Sequence, residues 1–159
     1  MHPVPRPGNP TTPYTQWHGM PIAVSSVMSI PAPAPSSLRK SILVVDDDDE
    51  MRAALSALLS CTYGVTVAVD GIDGCEKALE RQPDLIIADV RMPRLDGVAM
   101  IRRIRESESL RSVPVIFLTG QMSAQQVTEG LSVAPFAYLP KPTDPCLLQK
   151  RVKRALGGD

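Results

Sequence analysis

A short apolar run near the start of the patterned part of this chain leads directly into a cluster of acids. Residues 42–45 read Ile-Leu-Val-Val, and residues 46–49 are all aspartate. Such a run is typical of a buried strand in a parallel sheet. Ligands bind at the carboxyl ends of the strands in these sheets. We therefore expect the carboxylates to lie at a functional edge, although acids in this position can also cap the following helix.

Composition and charge narrow the function classes. The chain has 159 residues, which suits one domain with some excess, and 17 basic residues balance 17 acidic ones. Residues 1–40 hold three basic and no acidic residues, so the remainder has 14 basic and 17 acidic residues, a formal charge of −3. This balance argues against nucleic-acid binding driven by bulk charge.

The cysteines favour a reducing compartment. Cys61, Cys75 and Cys146 form neither a close pair nor a metal-binding spacing. We expect no disulfide framework and no zinc site, and we expect a cytoplasmic protein.

The N-terminal segment differs from the rest of the chain. Residues 1–38 contain nine of the sixteen prolines, which remove backbone donors and block helices. We predict that this segment is disordered. Its mildly apolar stretch, residues 20–30, is interrupted and too short to cross a membrane, so we expect no membrane contact.

From residue 41 the pattern alternates between strands and helices. Predicted strands cover residues 42–45, 65–69, 85–88, 115–118 and 137–139, and predicted helices cover 49–59, 72–81, 98–105, 124–131 and 144–156. Connections of this kind are right-handed, so five units give one parallel sheet covered on both faces. The predicted fold is a flavodoxin-like, doubly wound α/β/α sandwich with five strands and five helices.

Polar side chains follow four of these strands where the strands end. They are Asp46 and Asp47, Asp89, Thr119 and Lys141. Because the carboxyl ends of parallel strands share one edge, we expect these side chains to converge. Three carboxylates suit Mg2+, and one of them can act as a nucleophile towards phosphorus. An ammonium and a hydroxyl can hold phosphoryl oxygens, so the set favours magnesium-assisted phosphoryl transfer.

Four motifs appear in order around these residues. They are Val-Val-Asp-Asp-Asp at 44–48, Asp-Val-Arg-Met-Pro-Arg-Leu-Asp-Gly at 89–97, Phe-Leu-Thr-Gly at 117–120 and Tyr-Leu-Pro-Lys-Pro at 138–142. With these motifs, residues 41–157 resemble the response-regulator receiver domain of two-component signalling, and in particular the single-domain type of the chemotaxis regulator.

The resemblance implies a role for each acid. Asp89 would be the phospho-acceptor and a metal ligand, and Asp47 would bind Mg2+ directly. Asp46 would hold the metal largely through water, and the backbone carbonyl of Arg91 would complete the set. We assign Asp48 to a helix cap instead.

The resemblance also implies a switch. Thr119 and Lys141 would bind the phosphoryl group, and Tyr138 would change rotamer as Thr119 moves. The Lys141–Pro142 bond is expected to be cis. We assign Asp96 to a helix start and Asp144, before Pro145, to an N-cap.

The function that the resemblance implies is that of a stand-alone receiver. A sensor histidine kinase or a histidine phosphotransfer protein would phosphorylate Asp89, and the domain would catalyse only its own phosphorylation and dephosphorylation. The chain stops shortly after the last predicted helix, so we expect no DNA-binding or enzymatic output domain. Output would be contact with a protein target through the face of the fourth helix, fifth strand and fifth helix, by a monomer or a phosphorylation-dependent dimer.

Two alternatives stay open at this point. One is a receiver-like docking module that works without phosphorylation, for which the full set of strand-end residues has no chemical use. The other is a phosphohydrolase with an aspartate nucleophile, which needs a second acid two residues after the nucleophile, where this chain has Arg91. In place of the Gly-Ala-Asp-Asp-like segment of many receivers, residues 134–137 read Ala-Pro-Phe-Ala, which makes the predicted output face more apolar.

Overall fold

The computed structural model describes residues 39–120 and 134–158 of the chain. The five strands are β1 (Ser41–Val45), β2 (Gly64–Ala68), β3 (Leu85–Asp89), β4 (Val115–Thr119) and β5 (Ala137–Pro140). The four α-helices in this part of the chain are α1 (Asp49–Ser60), α2 (Gly71–Arg81), α3 (Gly97–Ile104) and the C-terminal helix (Pro145–Ala155).

The predicted elements are found close to their predicted positions, with two exceptions. The predicted fourth helix, residues 124–131, and the N-terminal segment, residues 1–38, lie outside the described residues. A short 3-10 helix, Glu108–Leu110, was not predicted, since three residues are too few to set up a periodic pattern. None of the helices among the described residues has the length and hydrophobicity of a membrane-spanning segment.

The sheet is parallel throughout, with the strand order β2-β1-β3-β4-β5. This is the flavodoxin-like order. After β2 is added on one side of β1, the later strands are added on the other side, so the topological switch point lies between β1 and β3. The fold predicted from the sequence is confirmed. Because all five strands point the same way, the residues that follow β1, β3, β4 and β5 meet at one edge of the sheet.

Two apolar clusters cover the two faces of the sheet, which explains why the central strands β1, β3 and β4 carry uninterrupted apolar runs. Leu43 and Val45 of β1 pack on one face with buried residues of α2 and α3, and Ile42 and Val44 pack on the other with α1 and the C-terminal helix. All five residues of β3 are buried. Strands buried on both faces need apolar side chains at every position, as the runs in the sequence indicated.

Each of the four described α-helices begins behind an aspartate. The carboxylates of Asp48, Asp70, Asp96 and Asp144 accept hydrogen bonds from backbone N–H groups in the first turn that follows them. These N–H groups have no partner inside the helix, so the caps stabilise the helix starts. The assignments of Asp48, Asp96 and Asp144 to helix starts are confirmed.

The loop between β3 and α3 packs tightly against the phospho-acceptor predicted from the sequence. A Cβ atom on Gly97 would lie 2.1 Å from the carbonyl oxygen of Asp89, and one on Gly71 would lie 2.3 Å from the carbonyl oxygen of Leu95. The Gly97 N–H donates to the carbonyl oxygen of Val90 at 3.0 Å. The nearest neighbours of both added Cβ atoms are therefore backbone atoms, which cannot move aside as the end of a flexible side chain could.

We predict that Gly97→Ala lowers the free energy of unfolding by about 1–3 kcal/mol, the usual cost of overpacking a site that cannot relax. Gly64→Ala is the matched control, because its added Cβ would meet nothing nearer than the Lys40 carbonyl oxygen at 4.0 Å. Urea denaturation of both variants measures the difference. Equal stability of the two variants would contradict the close approach at Gly97.

Candidate functional site

The strand ends bring three carboxylates together. Asp46 and Asp47 directly follow β1, and Asp89 is the last residue of the neighbouring β3. One carboxylate oxygen from each of the three lies within 4.8 Å of the other two. The convergence of these three carboxylates, which the sequence predicted, is therefore present in the structure.

Lys141 compensates the charge of two of these carboxylates. Its Nζ donates to Asp46 Oδ2 at 2.6 Å and to Asp89 Oδ2 at 2.9 Å. The Lys141 backbone N–H donates to the carbonyl oxygen of Thr119 at 2.9 Å, which ties the residue to the end of β4. The Lys141–Pro142 peptide bond is cis, as predicted.

The three carboxylates differ in their exposure to solvent. Asp46 is 1% exposed and Asp89 is 8% exposed, while Asp47 is open to solvent. The buried pair has hydrogen-bond partners, as buried charges require. Asp46 Oδ1 accepts from the Asp48 N–H at 3.0 Å, and Asp89 Oδ1 accepts from the Arg91 N–H at 3.2 Å. The site is thus buried at Asp46 and Asp89 and exposed to solvent at Asp47.

Burial sets the protonation behaviour of the inner side. It raises the pKa of Asp46 above the usual value, even though the Lys141 and Asp48 hydrogen bonds act in the opposite direction. Burial alone would lower the pKa of Lys141, but the hydrogen bonds and charges of Asp46 and Asp89 outweigh it and raise that pKa. Lys141 therefore stays charged at neutral pH, while the ionised form of Asp46 is held at a cost.

This donor set fits a magnesium ion. Three carboxylates carry more negative charge than the one ammonium beside them can balance, and their oxygens are the hard ligands that Mg2+ prefers. The exposed side at Asp47 leaves room for the water ligands that Mg2+ usually keeps. The residues that would hold the ion are Asp46, Asp47 and Asp89.

The remaining predicted residues lie on β4, on β5 and in the loop that follows β3. Thr119 ends β4 and is half-buried, and Tyr138 is half-buried on β5. The Tyr138 ring stacks on Phe117 with ring centres 6.2 Å apart and an interplanar angle of 17°. Arg91 is exposed, and its backbone N–H contacts Asp89 as described above. The predicted output face includes residues 124–131, which lie outside the described part of the chain.

Sequence reasoning missed one side chain at this site. Arg52 of α1 reaches back to the main chain of Asp46, with Nη1 donating to the Asp46 carbonyl oxygen at 2.6 Å. It also pairs with the carboxylate of Asp49, three residues earlier on the helix. The i, i+3 spacing of Asp49 and Arg52 could have indicated this ion pair from the sequence. The same spacing of opposite charges is common on solvent-exposed helix faces, so it does not identify a site residue.

We predict that the stability of Asp46→Asn relative to wild type changes with pH in Mg2+-free buffer. The folded-state pKa of Asp46 is raised above its usual value of 3.8, so the folded state binds the proton more tightly than the unfolded state. Wild type therefore loses stability as the pH rises from 3.8 through the folded-state pKa, and Asp46→Asn lacks this loss. Urea denaturation across this pH range measures the unfolding free energies of both proteins. The unfolding free energy of Asp46→Asn should increase relative to that of wild type as the pH rises.

Asp84→Asn is the control with the opposite sign. Burial of Asp84 is outweighed by hydrogen bonds from the N–H and hydroxyl of Ser41 and from Lys40, so its pKa is lowered. The stability that Asp84 contributes is present above 3.8 and is lost as the pH falls through its folded-state pKa. A pH trend of the same sign in both variants would contradict the assignment for Asp46.

Comparisons with known proteins agree with this geometry. The family model of the response regulator receiver domain matches residues 42–153. The transcriptional regulatory protein CseB of Streptomyces coelicolor is 37% identical over 116 residues, which cover 72% of this chain and 48% of that protein. The DNA-binding dual master transcriptional regulator RpaA of Synechocystis is 36% identical, with the same coverage of 72% and 48%. The chain thus spans about half the length of these curated relatives.

Solved structures give the same result for the fold. The chemotaxis protein CheY4 of Vibrio cholerae matches with a TM-score of 0.69 and 32% identity, covering 74% of this chain and 99% of that one. A putative response regulator from Chloroflexus aurantiacus matches with a TM-score of 0.67 and 31% identity, covering 74% and 98%. The fold, the strand-end residues and the family match lead to one conclusion: this chain belongs to the response regulator receiver domain family of two-component signalling.

Proposed function

We propose that residues 41–157 form a phosphorylation-dependent switch in which Asp89 accepts the phosphoryl group with the help of Mg2+. The observation that carries this proposal is the Lys141 ammonium held between Asp46 and Asp89 beside the exposed carboxylate of Asp47. Members of this family receive phosphoryl groups from histidine kinases. The donor proposed here is a sensor histidine kinase or a histidine phosphotransfer protein.

The reaction joins two anions, and charge compensation is therefore its main requirement. A carboxylate oxygen of Asp89 attacks phosphorus, a P–O bond forms, and the bond from phosphorus to the donor's imidazole nitrogen breaks. Negative charge on the phosphoryl oxygens must be balanced as this happens. When bound by Asp46, Asp47, Asp89 and the Arg91 carbonyl, Mg2+ would supply positive charge on one side of the transferred group.

Lys141 and Thr119 would act on the other side of that group. The Lys141 ammonium lies 2.9 Å from Asp89 Oδ2, within reach of an oxygen attached to that carboxylate. The Lys141 N–H donates to the carbonyl oxygen of Thr119, which links the residue after β5 to the end of β4. A displacement of Thr119 would therefore also displace Lys141. We propose that the Thr119 hydroxyl binds a second phosphoryl oxygen and that Tyr138 follows this movement.

The alternatives fit the structure less well. A docking module has no use for the buried carboxylate of Asp46, whose raised pKa reflects a cost in stability. A phosphohydrolase of the aspartate-nucleophile class would need an acid where the exposed Arg91 stands. We propose no enzymatic activity beyond the domain's own phosphorylation and dephosphorylation.

The output of the switch belongs to the same proposal. We propose a cytoplasmic protein whose target is another protein, bound through the face formed by the predicted fourth helix, β5 and the C-terminal helix. Phe136, which directly precedes β5 and is 44% exposed, would add apolar contact area there. We propose that residues 41–157 do not themselves bind nucleic acid. This proposal is limited to the receiver domain, because the relative RpaA is described as a DNA-binding regulator.

We predict that incubation with acetyl phosphate and Mg2+ adds a single base-labile phosphoryl group to the wild-type protein. Asp89→Asn should gain none, because it lacks the nucleophile. Asp96→Asn, which alters an exposed helix cap with no contact to the cluster among the described residues, should still be modified. Intact-protein mass spectrometry measures all three, with EDTA as a further control.

An unmodified wild-type protein at saturating Mg2+ would overturn the switch and favour the docking module. A phosphoryl group that persists in Asp89→Asn would assign the acceptor to another residue.

A further inference from the structure

Arg52 is nearly buried although it lies in the first turns of a surface helix. Its side chain is 12% exposed, whereas that of its partner Asp49 is 89% exposed. A guanidinium that loses this much hydration requires strong partners. The Asp46 carbonyl oxygen, 2.6 Å from Nη1, is the partner on the inner side.

The contact falls on one particular peptide group. The carbonyl of Asp46 belongs to the peptide that joins Asp46 to Asp47, so the hydrogen bond from Arg52 restrains the plane of that peptide. The Asp46 side chain is held independently, by the Asp48 N–H and by Lys141. No hydrogen bond or ion pair to another described residue fixes the carboxylate of Asp47, so the direction of this side chain depends on its backbone.

The surroundings of Arg52 reinforce this arrangement. Asp73, in the first turn of α2, is partly buried, but hydrogen bonds from Lys77 and the Val69 N–H, with the charges of Lys77 and Arg52, give it a lowered pKa. The positive charge of Arg52 thus acts on an acid of α2 as well as on its ion-pair partner Asp49 of α1.

We propose that Arg52 is a positioning residue for the magnesium site: by holding the peptide between Asp46 and Asp47, it aims the carboxylate of Asp47 at the ion. This inference rests on the Mg2+ site of the proposed function. It assigns no direct contact between Arg52 and the metal or the phosphoryl group.

The charge of Arg52 and its hydrogen-bond geometry have opposite effects on Mg2+ affinity. A variant must therefore change one of them without the other. Removing the positive charge of Arg52 would by itself strengthen the attraction of the acids for Mg2+. Losing the two-pronged guanidinium would release the peptide and weaken Mg2+ binding. Arg52→Lys keeps the charge, but a single ammonium cannot reproduce the planar fork, so this variant reports on geometry.

We predict that Arg52→Lys weakens Mg2+ binding about tenfold, as is usual when a residue that orients a metal ligand is lost. Isothermal titration calorimetry on the full chain gives the dissociation constants. Arg111→Lys, which alters an exposed arginine outside the site, is the matched control and should bind Mg2+ as wild type does. Binding by Arg52→Lys that is indistinguishable from wild type would overturn the inference.

A second measurement separates positioning from a merely structural role. The rate of phosphorylation by acetyl phosphate is followed as Mg2+ is increased. Positioning predicts that the Mg2+ concentration at half-maximal rate rises about tenfold for Arg52→Lys, while the rate at saturating Mg2+ approaches that of wild type. A lowered melting temperature with an unchanged half-maximal Mg2+ concentration would assign Arg52 to stability alone and refute positioning. If wild type itself binds no Mg2+, the proposed function falls together with the inference.

Discussion

The ion pair of Lys141 with Asp46 and Asp89 is the interaction on which the candidate site depends. Two carboxylates this close repel each other by about 1–4 kcal/mol, depending on the local dielectric, and burial adds to the cost. The ammonium of Lys141 offsets that repulsion from two strands away, since Lys141 follows β5, and β4 lies between β5 and the strand that ends in Asp89. The site therefore depends on the pairing of β1, β3, β4 and β5.

The acids of this chain divide into two groups with different physical tasks. Asp48, Asp70, Asp96 and Asp144 cap helices, where their charge is favoured by the helix dipole and by free N–H groups. Asp46, Asp47 and Asp89 are gathered where their charges oppose one another. The first group stabilises the helices, and the second holds a concentration of negative charge that favours binding of a divalent cation.

Much of the fold and the site could be predicted because the signals are local and regular. Apolar runs mark strands buried on both faces, and in a parallel sheet the residue after each run must lie at the shared edge, which was enough to bring Asp46, Asp89 and Lys141 together. The difference between buried Asp46 and exposed Asp47 could not be predicted, since adjacent aspartates look alike in a sequence. The reach of Arg52 to a carbonyl on the preceding loop depends on a side-chain path that no periodic pattern encodes. The roles of Thr119, Tyr138 and Arg91 stay predictions, because each depends on a phosphorylated state.

The sharpest test of the switch at Asp89 is crystallography with Mg2+ and beryllium trifluoride, a mimic of the phosphoryl group. If Asp89 is the phospho-acceptor, beryllium should be bonded to one of its carboxylate oxygens, with Mg2+ about 2.0–2.1 Å from oxygens of Asp47 and Asp89. The Lys141 ammonium should also move from Asp46 to a fluorine atom. A structure in which Lys141 still bridges Asp46 and Asp89, with no beryllium on Asp89 at saturating concentrations, would contradict the assignment of Asp89 as the acceptor.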